Sequence, residues 1–159
     1  MLMPYLIDGY NLLWRIHNGG ESVSDIQLCR AIDRYLDIQR QRGTMVFDGI
    51  GPPDKSDFFS LDSLSVQFVG EHTDADSVIE YQIEQSTAPK LLNVVSSDRR
   101  VRDAAKRRKA GVILSEQFWS MVKVALSKGS RRESPPGGKI MGISDAETER
   151  WMKEFGLDE

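Results

Sequence analysis

The chain is short of the residues that staple or anchor a protein. Its 159 residues hold one cysteine, Cys29, and two histidines, His17 and His72. A lone cysteine closes no internal disulfide, and the two histidines lack the spacing of a zinc site. No apolar run approaches the ~20 residues of a membrane helix, and no charged-then-apolar leader opens the sequence. A reducing, cytoplasmic setting with no membrane is therefore the expectation. Neither a Ser-His-Asp set nor a phosphate-binding glycine loop occurs, which argues against serine-nucleophile hydrolysis and P-loop chemistry. The net charge of -3 excludes coating of nucleic acid by bulk charge and leaves local patches to be found by position.

What is present suits one globular domain followed by a tail: 40% of residues are hydrophobic and 28% charged. Tyr5-Leu6-Ile7-Asp8-Gly9 reads as a buried strand over residues 4–8 that ends in an acid and a tight turn, and residues 10–17 as a short helix. Ser24 and Gln27 have capping-box spacing and open a helix to about Arg42, which Gly43 ends. Cys29 falls on its apolar face with Leu28, Ile32, Tyr35 and Leu36, the place of a core thiol. Thr44-Met45-Val46-Phe47-Asp48-Gly49 repeats the pattern of strand, acid and glycine. Residues 50–63, with Pro52 and Pro53, have no helical period and read as a loop.

Leu64, Val66 and Phe68 alternate with polar residues as in a strand near a sheet edge. Thr73 is placed to cap the next helix, whose apolar stripe is Ala75, Val78, Ile79 and Ile83, with Asp76 and Glu80 on a polar face. Residues 91–95 read as a central strand buried on both faces, ending in Ser96-Ser97-Asp98. A helix over about 99–109 follows, then a short strand at 112–114 and another helix from Ser115. Alternating strands and helices predict a parallel α/β sheet. Composition sets the boundaries: a domain over 1–127, a basic Gly/Pro/Ser-rich linker over 128–143, and an amphipathic helix over 144–159. Ser144 and Glu147 cap that last helix, and its stripe of Thr148, Trp151, Met152 and Phe155 is expected to dock back on the domain.

Asp8, Asp48 and Asp98 each end a strand, and Asp76 opens a helix that follows one. In a parallel sheet these positions share the carboxyl edge, where ligands of open α/β folds bind. Acids gathered there repel one another and call for a cation, and oxygen-only ligands favour Mg²⁺ or Mn²⁺ over Zn²⁺. Each acid also has an ordinary role: Asp48-Gly49 suits a turn, Asp76 a capping box, Asp98 an N-cap, and Asp74 and Glu80 a solvated helix face. Asn11 either holds Asp8 or a water through its amide or caps the first helix.

Ile7-Asp8-Gly9-Tyr10-Asn11, Val46-Phe47-Asp48-Gly49, Thr73-Asp74-Ala75-Asp76 and Ser96-Ser97-Asp98-Arg99 resemble the successive motifs of the NYN domain, a branch of the PIN-like nuclease superfamily, and most nearly its YacP-like bacterial members. The motifs span residues 4 to about 120. The resemblance implies a three-layer α/β/α sandwich with a mainly parallel central sheet and a metal-dependent endoribonuclease. It makes Asp8, Asp76 and Asp98 the metal carboxylates and Asp48 an additional acid, with Asn11 beside the first ligand and Asp74 a near neighbour of Asp76. Where PIN-like sites often carry a further acid after the Ser-Asp motif, this chain has Arg99 and Arg100.

Residues 99–109 hold seven basic side chains against Asp103, a local charge of +6. Arg99, Arg100, Arg102 and Lys106 are the candidate RNA contacts, and the helix start at Ser97 to Arg99 offers N–H groups to a phosphate. Lys128, Arg131, Arg132 and Lys139 form a second basic segment for RNA or a ribosomal surface. Trp14, Phe58 and Phe59 are candidate stacking surfaces for bases, with core packing the expectation for each. The favoured reading is a Mg²⁺- or Mn²⁺-dependent endoribonuclease acting on mRNA, tRNA or rRNA. A noncatalytic RNA- or ribosome-binding module on the same fold is the alternative. An aspartyl-phosphate enzyme is the weakest, because Tyr10 stands where its second acid belongs.

Overall fold

A computed structural model of the chain describes residues 4–132, with side chains to residue 128. Five strands, β1 (Tyr5–Asp8), β2 (Gly43–Phe47), β3 (Leu64–Phe68), β4 (Asn93–Val95) and β5 (Gly111–Ile113), make one sheet in the order β3-β2-β1-β4-β5. Every strand pair in it is parallel. The helices are α1 (Gly9–Asn18), α2 (Asp25–Gln39), α3 (Ser56–Phe59), α4 (Ala75–Gln85), α5 (Arg99–Arg107) and α6 (Ser115–Arg132).

Strand periodicity divides the core in two. Ile7, Met45, Phe47 and Val95 point to one face, where Leu12 and Ile16 of α1, Leu28, Ile32 and Leu36 of α2, and Phe118, Val122 and Leu126 of α6 cover them. Their neighbours Leu6, Val46 and Val94 point to the other, beneath Ala75, Ile79 and Ile83 of α4 and Val101, Ala104 and Ala105 of α5. The fold is thus the expected three-layer α/β/α sandwich. Cys29 is buried, with its thiol 3.7 Å from the Met45 sulfur, and burial pushes its pKa up. It is the core thiol its helical face predicted.

The capping box of α2 is present: Gln27 N donates to Ser24 Oγ, and Ser24 N donates to Gln27 Oε1. The helix ends earlier than expected, at Arg40 in the left-handed region with φ 55°, and Gly43 enters β2 instead of stopping the helix. The stretch read as a loop over 50–63 contains the one-turn α3, held by the buried ring of Phe58. Residues 89–91 form a 3₁₀ turn ahead of a β4 shorter than the apolar run suggests. Asp74, not Thr73, caps α4, accepting from Ser77 N at 2.7 Å. Helix α6 continues through Lys128 to Arg132, so the change of composition at 128 falls inside a helix. The rest of the linker and the helix expected at 144–159 lie outside the described residues.

Candidate active site

The strand order reverses between β1 and β4, and the carboxyl ends of these two strands flank a crevice. Asp8 ends β1 there. Leaving β1, the chain turns at once into α1 through Gly9, where an added Cβ would stand 2.5 Å from the Phe47 ring. Only glycine lets α1 begin this close to β2. Asp8 is consequently buried, 4% exposed, and takes a hydrogen bond from Ser96 Oγ at 3.0 Å. Ser96 sits just after β4, is itself fully buried, and also accepts from Asp98 N at 3.0 Å. One hydroxyl therefore ties two of the predicted acids together.

Asp48 leaves β2 and accepts from Ala75 N at 2.6 Å, which fixes the first turn of α4 on the sheet edge. That turn carries Asp76, whose carboxylate accepts no hydrogen bond from any described residue. Asp98 caps α5 with one oxygen, Oδ1, which accepts from Arg100 N and Val101 N. The electrostatics show the four acids acting on one another. Burial, then Asp76, then Asp98 and Asp48 push the Asp8 pKa up to about 7 from 3.8, against the lowering effect of Ser96. Asp76 is raised as well, first by burial and then by Asp98, with Arg100 opposing. The helix N-termini of α1, α4 and α5 meet at the same edge and offset part of this repulsion.

The other predicted residues divide. Asn11 neither bonds Asp8 nor caps α1. Its Oδ1 accepts from Ser97 N at 2.9 Å and from Ser115 Oγ at 2.7 Å, binding α1 to the ends of β4 and β5. Ser97 gives its hydroxyl proton to Glu116 at 2.7 Å and accepts from Ser115 N. With Ser97 N and Asp98 N both engaged, the helix start does not present those groups to a phosphate. Asp74 is spent on its cap, which lowers its pKa, and lies 3.9 Å from Arg100. Glu80 holds Arg100 in a close ion pair and Arg107 at 3.9 Å, and Arg100 also donates to Ser77 Oγ at 3.1 Å. Arg100 is thus a strut between α4 and α5. Arg99 and Lys106 are exposed, and Arg102 is half-buried.

Of the three aromatic candidates, Phe58 packs in the core as expected, in edge contact with Phe47 and Phe68. Trp14 and Phe59 do not: both are exposed, because each lies on the outer side of its helix. Ser96, Ser115 and Glu116 organise the site and were missed. In the sequence Ser96 and Ser115 are only serines close after a strand and Glu116 only an acid opening a helix, patterns too common to single out.

By chemistry the donor set suits a hard divalent cation, being oxygen only, acidic, and mutually repelling at Asp8 and Asp76. Among the described residues no group of three or more acid, His or Cys side chains is already disposed to hold a metal ion. Also among them, no helix is long and apolar enough to cross a membrane.

A parallel sheet whose acids meet at the switch point is the setting of the PIN-like nuclease fold. The chain belongs to the YacP-like NYN domain family, whose model matches residues 5–151. Among solved structures it is similar to the crystal structure of Rae1 (YacP) from Bacillus subtilis, with a TM-score of 0.70 and 19% identity over 96% of this chain and 91% of that one. A tryptophan-to-leucine variant of the same protein gives 0.61 and 19% over 96% and 92%. At this identity the likeness concerns the fold. No curated protein matches the chain significantly.

Proposed function

We propose that the chain is a Mg²⁺- or Mn²⁺-dependent endoribonuclease that hydrolyses RNA phosphodiester bonds in the cytoplasm. Asp8, Asp76 and Asp98 would hold the cation, with Asp48 as an additional acid. The observation that carries this reading is the burial of Asp8 against three other carboxylates at the switch point of a PIN-like sheet. When bound, the cation lowers the pKa of a water and offsets charge on the phosphate.

The chain's own groups supply the rest. Ser96 orients Asp8 and the backbone of Asp98 with one hydroxyl. Asp48 sets the register of α4 and so the placement of Asp76. Glu80 and Arg100 brace α4 against α5. The exposed Arg99 and Lys106 and the half-buried Arg102, along α5 from its Asp98 cap, supply the phosphate contacts, with affinity that falls as salt rises. The test is cleavage of a mixed pool of structured and single-stranded RNA with Mn²⁺, Mg²⁺ or chelator. Metal-dependent cuts are expected for the wild type and lost in Asp8→Asn and Asp98→Asn. Equal cutting by both variants would sink the assignment.

A noncatalytic RNA- or ribosome-binding module is the second reading, and one observation favours it: the acids are not yet disposed as a cation cage among the described residues. Salt-sensitive RNA binding with no cleavage under any metal would decide for it.

A further inference from the structure

Helix α1 leaves the acid edge with two large aromatic side chains on its solvent side. Tyr10 and Trp14 lie one turn apart and are 38% and 58% exposed, while Leu12 and Ile16 on the opposite side are buried. At 1.5 Å of rise per residue, about 6 Å of helix axis separates them. The Tyr10 ring rests against Phe47 with centroids 4.8 Å apart, and the charge of Asp48 reaches its phenol. The Arg15 guanidinium stands 5.3 Å from the Trp14 ring centroid and itself reaches Glu116 at 3.8 Å. Each ring has a protein group against it, Phe47 for Tyr10 and Arg15 for Trp14, and each side chain is still exposed.

We propose that Tyr10 and Trp14 are a stacking platform for unpaired nucleobases, leading a single strand along α1 into the acid edge. The proposal rests on the nuclease reading above and names the form of its substrate. Two aromatic faces one helical turn apart can receive successive bases of an extended strand, and stacking tolerates any base because each has a π face. In a duplex those faces are already covered by neighbouring pairs. Arg15 adds positive charge for the strand's backbone.

Binding is measured in chelator, where no metal-dependent cleavage occurs. The probes are a short labelled oligouridylate, the matching oligodeoxyuridylate and a blunt RNA duplex, each with wild type, Trp14→Ala, Trp14→Phe and Tyr10→Ala. Trp14→Ala is expected to weaken oligouridylate binding about tenfold, with or without an equal loss on the deoxy strand, and Trp14→Phe to recover most of it. Duplex binding and the melting temperature stay unchanged, and the strand quenches tryptophan fluorescence in the wild type but not in Trp14→Ala. Unchanged affinity in Trp14→Ala, an equal loss on duplex, or no single-strand binding by the wild type overturns the platform. Stacking effects that persist in a protein that never cleaves remove the nuclease reading alone. Intact cleavage with unchanged Trp14→Ala affinity removes the platform alone.

Discussion

Replacing Asp8 by Asn removes one buried charge and keeps the shape of the side chain. The folded chain holds the Asp8 pKa at about 7 against an ordinary 3.8. In acid, both folded and unfolded chains keep the proton and the side chain costs nothing electrostatically. As pH rises past the ordinary value, the unfolded chain releases its proton while the folded one retains it. Stability therefore falls with rising pH until the folded carboxyl ionises near neutrality. A gap of about three pKa units corresponds to about 4 kcal/mol. Asn carries no such penalty, so the stability difference between Asp8→Asn and wild type should grow by about 4 kcal/mol from about pH 4 to about pH 8. For a chain of this size that is a gain of roughly 10 °C in melting temperature for the variant in chelator. Urea unfolding of both proteins across that range reads Asp8 together with its coupling to Asp76, Asp98 and Asp48, because titrations remote from the site cancel in the difference. At the upper pH, a divalent cation should stabilise the wild type and leave Asp8→Asn nearly unmoved. A difference that does not change with pH, or a variant less stable than wild type in base, refutes the argument.

Substitutions at three further positions probe the supports of the site. Asn11→Ala strands the Ser97 N–H and the buried Ser115 hydroxyl and should cost about 1–3 kcal/mol in urea unfolding, with Asn11→Asp losing less because it keeps an acceptor. Glu80→Gln frees Arg100 and Arg107 and lets α4 move against α5; kcat should fall about tenfold with KM and melting temperature little changed. Gly9→Ala forces the Phe47 ring aside and should destabilise by about 1–3 kcal/mol, with near-ultraviolet circular dichroism reporting the displaced aromatic.

The legible parts of the fold were those whose signal is local. Leu64, Val66 and Phe68 alternate because one side of an edge strand faces water, and β3 is at the edge. The Ser24 capping box is written within four residues and formed as written. Helix α3 was illegible because one turn after two prolines has no period, and what holds it is Phe58 packing on distant Phe47 and Phe68. The sequence points to Thr73 as the cap of α4, whereas Asp74, one residue on and equally able to accept, takes the Ser77 N–H. Ser96 was missed because its meaning is a contact with Asp8, 88 residues away. Trp14 was legible and misread: Tyr10 and Trp14 lie opposite Leu12 and Ile16 on a helical wheel, which already places them outward.

Capping and function looked like competing explanations of each acid, and the geometry removes the competition. A carboxylate has two oxygens, and a cap occupies one. Asp98 binds two backbone N–H groups through Oδ1 alone, and Asp48 binds Ala75 N through Oδ1 alone, so each is oriented by its cap with Oδ2 left over. Asp74 caps in the same manner, yet it is exposed, its pKa is lowered by the cap, and Arg100 stands beside it. What marks Asp74 is Arg100 beside it and a pKa lowered by its hydrogen bonds to Ser77, while Asp48 and Asp98 act on the buried Asp8. Asp8 and Asp76 carry raised pKa values because burial, then neighbouring acids, outweigh the lowering effects of Ser96 on Asp8 and Arg100 on Asp76. The repulsion left at these two positions is the feature a bound cation would relieve, and relief of that strain gives cation binding its coupling to stability.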